Sequence, residues 1–168
     1  MNKKISIIVV VLLVLFGIYL LSAKFPMNNS ADENVAASDN ATINGINIKR
    51  KGPVGVAKGY ELDYEYLVDK FGFTLYATAA DAKNNTTDIK TSCDAICEQM
   101  WGPYLLGDSD TAIEQSSDPV LSKLNIFNRA DGKQQYALGN QPLYRYSGDT
   151  KVGDVKGPVE SNWMVARP

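Results

Sequence analysis

Histidine is missing altogether from the 168 residues. With it go the Ser-His-Asp triad, the Cys-His pair, every imidazole-held metal site and haem attachment through Cys-x-x-Cys-His. Cysteine occurs only twice, at Cys93 and Cys97. Positive charge is scarce beyond the amino-terminal region: setting aside Lys3, Lys4 and Lys24 leaves 14 basic against 19 acidic residues, a balance of −5. An anionic domain is a poor nucleic-acid binder, so no nucleic-acid partner is expected. No nucleophile sits in a recognisable elbow or beside a base, and Asp108-Ser-Asp110 and Asp149 to Asp154 lack the spacing of a calcium loop with its bidentate Glu. The chain is therefore expected not to be an enzyme, with no catalytic residues and no cofactor.

What is present begins with an uncharged run, Ile5 to Leu21, behind Lys3 and Lys4. As a helix it would be about 26 Å long, close to the roughly 30 Å of a hydrocarbon core. The run exceeds the usual apolar region of a cleaved signal peptide. Residues 1–24 are accordingly expected to be an uncleaved transmembrane signal anchor, crossing once through residues 5–21. The positive-inside rule puts Lys3 and Lys4 in the cytoplasm and the rest on the periplasmic or extracellular side. No Cys follows the run, so a lipid-modified amino terminus is not expected. Residues 25–52 read as a flexible tether, since Met27 to about Asn44 has too few large apolar side chains to offset its ordering entropy. Lys49-Arg50-Lys51 closes it, either touching anionic headgroups or simply solvated.

From residue 53 to 168 short runs rich in Tyr, Val, Leu and Phe are punctuated by Gly, Asn and Asp, which predicts a mainly β, antiparallel domain. Tyr64–Val68 and Thr74–Thr78 flank Asp69-Lys70-Phe71-Gly72 as a hairpin. Leu124–Asn128, Gln134–Leu138 and Leu143–Tyr146 follow as further strands, and Trp163–Ala166 as a closing one. Cys93–Met100 carries apolar residues at helical spacing and predicts the one short helix. Residues 107–119 predict a surface loop with a helical turn near Ala112–Gln115. Two segments echo each other at an offset of 68: Leu75-Tyr76-x4-Asp81 and Leu143-Tyr144-x4-Asp149. In a strand such a Leu and Tyr point to opposite faces, and the Asp ends the strand at a turn. The echo predicts a domain of two related halves.

Each chemistry-bearing group admits two readings. Cys93 and Cys97 would form a disulfide outside the reducing cytoplasm; alternatively, with Met100 on the same helix face, they would offer three soft ligands to Cu(I) or act in thiol exchange. Asp81 and Asp149 would cap turns or, with the halves facing, form an acid/base pair. Tyr76, Tyr144 and Tyr146, with those two aspartates, would build a binding face or fill the sheet's second layer.

The Leu-Tyr-x4-Asp echo, with Cys93-Asp-Ala-Ile-Cys97-Glu-Gln-Met-Trp101-Gly-Pro103 between the copies and Gly132-Lys-Gln-Gln135-Tyr136 before the second, resembles the bacterial "secreted repeat of unknown function" family, predicted lipoproteins with a Tyr-x-aromatic-x-x-Asp motif. Tyr144-Arg-Tyr146-Ser-Gly-Asp149 matches that motif fully; Tyr76-Ala-Thr78-Ala-Ala-Asp81 has Thr in the aromatic place. The resemblance spans roughly Tyr64 to Pro168. It departs at Trp101-Gly102-Pro103, where the family has Trp-Pro-Pro, and in lacking the lipid-anchoring Cys of many members. It implies envelope localisation and a small β-rich domain, and brings no activity. The function expected is that of a membrane-anchored envelope protein, a non-enzymatic binding or structural module partnering another envelope protein; the alternative is a copper or thiol-redox accessory using Cys93, Cys97 and Met100.

Overall fold

A computed structural model describes residues 40–59, 62–84, 88–107, 117–157 and 162–168, all within one compact unit, Glu33–Pro168. Eleven short strands form three antiparallel sheets among these residues. The first sheet is β1 (Asn40–Ile43), β2 (Ile46–Lys51), β3 (Val54–Lys58) and β4 (Tyr66–Asp69) in sequence order. The second interleaves β5 (Tyr76–Thr78), β6 (Trp101–Pro103), β10 (Tyr144–Tyr146) and β11 (Trp163–Val165) in the order β11-β5-β10-β6. The third is β7 (Leu124–Asn128), β8 (Gln134–Leu138) and β9 (Gln141–Pro142).

The first two strands correct the tether expected over 25–52, because an ordered hairpin already begins at Asn40. Asn44 and Gly45 both take positive φ (50° and 77°), the requirement of the two-residue turn whose twist matches the strands it joins. The alternating Ile46 and Ile48 of β2 are buried. Lys49, Arg50 and Lys51 therefore lie on a paired strand, opposite Val56, Gly55 and Val54, and Lys51 forms an ion pair with Asp118.

The predicted hairpin about Asp69–Gly72 is present as a turn. Asp69 Oδ1 accepts the N–H groups of Phe71 (2.8 Å) and Phe73 (2.9 Å), an Asx-type turn, with Gly72 at φ +95°. A Cβ on Gly72 would stand 3.0 Å from Ile48 Cδ1 and 3.1 Å from Val152 Cγ1. Gly132, at φ +80°, has nothing within 4 Å of that position. Gly72→Ala should therefore lose about 1–3 kcal/mol from backbone strain plus a packing cost. Gly132→Ala should lose the backbone part only; equal shifts of the two denaturation midpoints would refute the packing contribution.

The helix is displaced from its expected place. Cys93–Met100 holds only a 3-10 turn, Cys97–Gln99, and the described α-helix is α1 (Ala79–Asn84). Asp94 explains the first: its Oδ1 accepts the N–H groups of Ile96 (3.1 Å) and Cys97 (2.9 Å), a local alternative to helical bonding. Thr78 explains the second, since its Oγ1 accepts the Ala80 N–H at 3.3 Å, as a helix N-cap does.

Pairings on one side of the unit recur on the other. Val56 opposes Leu67 and Gly55 opposes Val68, as Ile126 opposes Tyr136 and Asn125 opposes Ala137. Val68 bridges Thr74, as Ala137 pairs Pro142. In the second sheet Tyr76 and Tyr144 are partners, and about them Thr78 with Trp163 and Tyr76 with Val165 mirror Tyr146 with Trp101 and Tyr144 with Pro103. Two backbone rings complete the correspondence. Leu67 N–H donates to Ala166 O, Ala166 N–H to Leu75 O and Leu75 N–H to Leu67 O; Tyr136 N–H donates to Tyr104 O, Tyr104 N–H to Leu143 O and Leu143 N–H to Tyr136 O, all at 2.8–2.9 Å.

The Leu and Tyr of each echo do point to opposite faces, and both faces are core. Leu75 and Leu143 join a cluster with Val56, Leu67, Tyr104 and Tyr136, whereas Tyr76 and Tyr144 join one with Ile48, Val68, Trp101 and Val165. Among the described residues no helix is long and apolar enough to cross a membrane. The expected span at 5–21, and the expected turn near Ala112–Gln115, lie outside the described residues.

Candidate functional site

The motif residues converge where β5 and β10 meet. Tyr76 Oη donates to Asp149 Oδ2 at 2.8 Å, and Tyr144 Oη donates to Asp81 Oδ2 at 2.7 Å. Each tyrosine thus reaches the aspartate of the other echo. The second carboxylate oxygens are satisfied alike, Asp81 Oδ1 by the Ser92 N–H (2.6 Å) and Asp149 Oδ1 by the Lys156 N–H (2.9 Å). Tyr76 Oη also accepts the Gly157 N–H at 3.1 Å. Tyr144 Oη, its proton given to Asp81, accepts from Thr91 Oγ1 at 2.6 Å.

Between these two clasps Trp101 and Trp163 stack with centroids 3.9 Å apart and planes 8° from parallel. Trp101 meets Tyr76 edge-on at 5.3 Å and Trp163 meets Tyr144 edge-on at 5.0 Å, geometries aromatic quadrupoles favour. Tyr146 packs on Trp101 at 4.8 Å. Its counterpart Thr78 opposes Trp163 and also donates to Asn162 O at 3.2 Å, so threonine in the aromatic place trades a ring contact for a helix cap.

Burial pushes Asp149 up to about 6, with Asp154 adding to the effect, while the Lys156 N–H and the Tyr76 hydroxyl oppose it. Both clasp tyrosines are pushed well above the usual phenol range, by burial first and then by the carboxylates they face, so they remain protonated donors. Asp149 binds its proton more tightly folded than unfolded, so folding stability should rise as pH falls from 7 to 5. Asp69, also raised by burial, contributes in the same direction. Asp118, Asp131 and Asp154 are held below their ordinary value, and their stabilisation is lost only below about pH 4. The urea midpoint should therefore increase from pH 7 to 5, and increase less in Asp149→Asn; an unchanged increase in that variant would refute the assignment.

Tyr76→Phe keeps the ring but leaves Asp149 Oδ2 and the Gly157 N–H without a partner. It should cost about 1–3 kcal/mol per orphaned group. Because the partners are crossed, it should shift the carboxyl carbon resonance of Asp149 and leave that of Asp81 in place. The reverse pattern would mean that each clasp closes within its own echo.

The other expected site residues fall as follows. Asp81 and Asp149 are both clasp acceptors; neither faces the other as an acid/base pair. Tyr76, Tyr144 and Asp81 are fully buried and Asp149 nearly so. The expected binding face is thereby corrected, since its residues interlock inside the domain and only Tyr146 is half-exposed. Cys93 and Cys97 are joined as a disulfide, their Cα atoms 5.2 Å apart, and among the described residues no cysteine is free. The shared helix face expected for Cys93, Cys97 and Met100 is also corrected: Cys93 precedes the 3-10 turn and is 6% exposed, whereas Met100 lies beyond it and is 53% exposed. Among the described residues no three His, Cys, Asp or Glu side chains stand together as a metal site.

A second buried polar network lies outside these expected site residues. Gln135 is fully buried, donating from Nε2 to Leu143 O at 2.9 Å and accepting from Arg129 at 2.6 Å; Arg129 also pairs with Glu98 and Asp131. On β8 Gln134 is exposed and Gln135, Tyr136 and Ala137 are buried in succession, so a polar side chain opening an otherwise apolar buried run is the one local signal. Asp69, fully buried, pairs with Arg145, whose guanidinium lies 5.3 Å from the Tyr104 ring. A groove beside β11 is lined by Tyr64, Leu138, Gln141, Trp163, Met164 and Arg167 among others, with the Arg167 guanidinium 3.5 Å from the Tyr64 ring centroid.

No curated protein and no solved structure matches this chain. Residues 125–167, from β7 through β11 and containing Tyr144 and Asp149, match the family described as a secreted repeat of unknown function, the family to which the motifs of the sequence point.

Proposed function

We propose that this is a cell-envelope protein whose folded part is a non-catalytic binding or structural module made of two secreted repeats, one at 54–104 and the other at 124–167. Residues 5–21 hold it in the cytoplasmic membrane as a single span, and residues 25–39 carry the module on the periplasmic or extracellular side, where its partner is another envelope protein. The support is the reciprocal clasp. The motif's Tyr and Asp side chains are saturated by one another and by backbone N–H groups, so the motif builds the fold and presents no group to a substrate. The agreement in register between the two sets of strands supports reading residues 54–104 as a repeat of the kind matched at 125–167.

Protease added to spheroplasts producing the full chain tests the placement. Cleavage between residues 25 and 39 should release a folded fragment, while the amino-terminal remainder stays with the membrane. A chain that is protected from outside, or recovered already cut near residue 23 and free of membrane, would overturn the anchored topology.

A further inference from the structure

We infer that the Cys93–Cys97 disulfide is a thiol-exchange site, open to a dithiol reductant, that sets how firmly one of the two clasps is closed. The two clasps are alike in their tyrosines and aspartates and differ in what steadies the segment completing them. Beside Asp149 the segment is held by Asp154, whose Oδ2 accepts the N–H groups of Thr150 (2.9 Å) and Lys151 (3.1 Å) and stands 2.8 Å from Lys156 Nζ. Beside Asp81 the nearby carboxylate, Asp94, bonds forward instead, accepting the Ile96 and Cys97 N–H groups of the turn. Ser92 N–H reaches Asp81, Thr91 Oγ1 reaches Tyr144, and the Cys93 N–H turns back to Thr91 Oγ1 at 3.0 Å. The next link is the disulfide itself. It ties this segment to a turn braced on strands beyond β6, through the Glu98–Arg129 ion pair and the Ser147 N–H donated to Met100 O at 2.8 Å.

Access to the bond is one-sided. Cys93 is buried, Cys97 is half-buried, and Asp94, Ala95 and Ile96 are exposed, Ile96 to 76%. The incoming thiolate therefore attacks Cys97 Sγ, and the S–S bond breaks with its electron pair on Cys93, which takes up a proton; burial favours that neutral thiol. The second thiolate of the reductant then attacks its own sulfur in the mixed disulfide. Cys97 leaves with that electron pair and is protonated from water, so two electrons and two protons pass from the dithiol, which becomes a disulfide. Ser92 and Cys93 are then tied to the braced turn only through Asp94, whose side chain and carbonyl accept the Ile96, Cys97 and Glu98 N–H groups, and the Asp81–Tyr144 clasp loosens while the Asp149–Tyr76 clasp stays shut.

Amide hydrogen exchange on the full chain in detergent, before and after dithiothreitol, tests this. Reduction should accelerate exchange at Ser92 and Cys93 on the order of tenfold, with Lys156 and Gly157 changing less than about twofold. Cys93→Ser combined with Cys97→Ser should show the accelerated pattern without reductant and no further response to it. Unchanged exchange at Ser92, equal acceleration of both clasps, a response to dithiothreitol that persists in the double variant, or a disulfide that the reductant cannot open in the folded chain would each overturn the inference.

Discussion

Produced separately, residues 40–107 and residues 117–168 are each expected to remain unfolded, and to form a folded one-to-one complex on mixing. The strand order requires it. β6 belongs by sequence to the first half but pairs with β10 of the second, and β11 belongs to the second but pairs with β5 of the first. Each backbone ring also has one member from the other half, Ala166 among Leu67 and Leu75, and Tyr104 among Leu143 and Tyr136. A half alone would expose Leu75 or Leu143, both fully buried, and would leave its tyrosine without the aspartate it meets. Stretches of this size bury too small a fraction of their surface to bear such losses. Near-ultraviolet circular dichroism is the direct probe, because Trp101 and Trp163 face each other across the halves; the band should appear only in the mixture. A cooperative transition from the 117–168 fragment alone would sink the prediction.

Trp101→Ala is expected to be the most damaging single substitution among those considered, costing about 3–5 kcal/mol. Trp101 is buried and its ring meets Trp163, Tyr76 and Tyr146 at once. Its loss opens a cavity that three other aromatic rings line and that rigid strand pairing prevents from collapsing. Trp163→Ala removes a half-buried ring, contacting Trp101 and Tyr144, and should cost less. Urea denaturation ranks them; a larger midpoint shift for Trp163→Ala than for Trp101→Ala would contradict the packing assignment. An aromatic cluster of this kind stiffens the domain about the β5–β10 seam, which is where the two clasps must hold their donors and acceptors in line.

Much of this arrangement is local and was readable. Leu124–Asn128 and Gln134–Leu138 pair as the strands expected, across a turn where Gly132 takes positive φ, and Trp163–Val165 lies at the edge of the second sheet. The spacing of four between Cys93 and Cys97 suits the turn they staple. The Asn44-Gly45 dipeptide between isoleucines is an equally local hairpin signal, whereas the polar stretch before it has the composition of a tether. The apolar spacing at Ile96, Cys97 and Met100 resembles a helical face but forms no α-helix, because the Asp94 side chain bonds the backbone into a turn there. Ile96 and Met100 end up largely exposed, which periodicity alone does not distinguish from burial.

By itself the sequence determined that the folded part is an antiparallel β domain, that it carries the same Leu-Tyr-x4-Asp segment twice, and that each Leu and Tyr must part to opposite faces. Only the tertiary structure decided which aspartate each tyrosine meets. Both copies hold the same residues at the same spacing, so bonding within a copy and between copies read identically along the chain. The choice was made by the strand order β11-β5-β10-β6. By setting Tyr76 opposite Tyr144, it puts each hydroxyl within reach of the other copy's carboxylate.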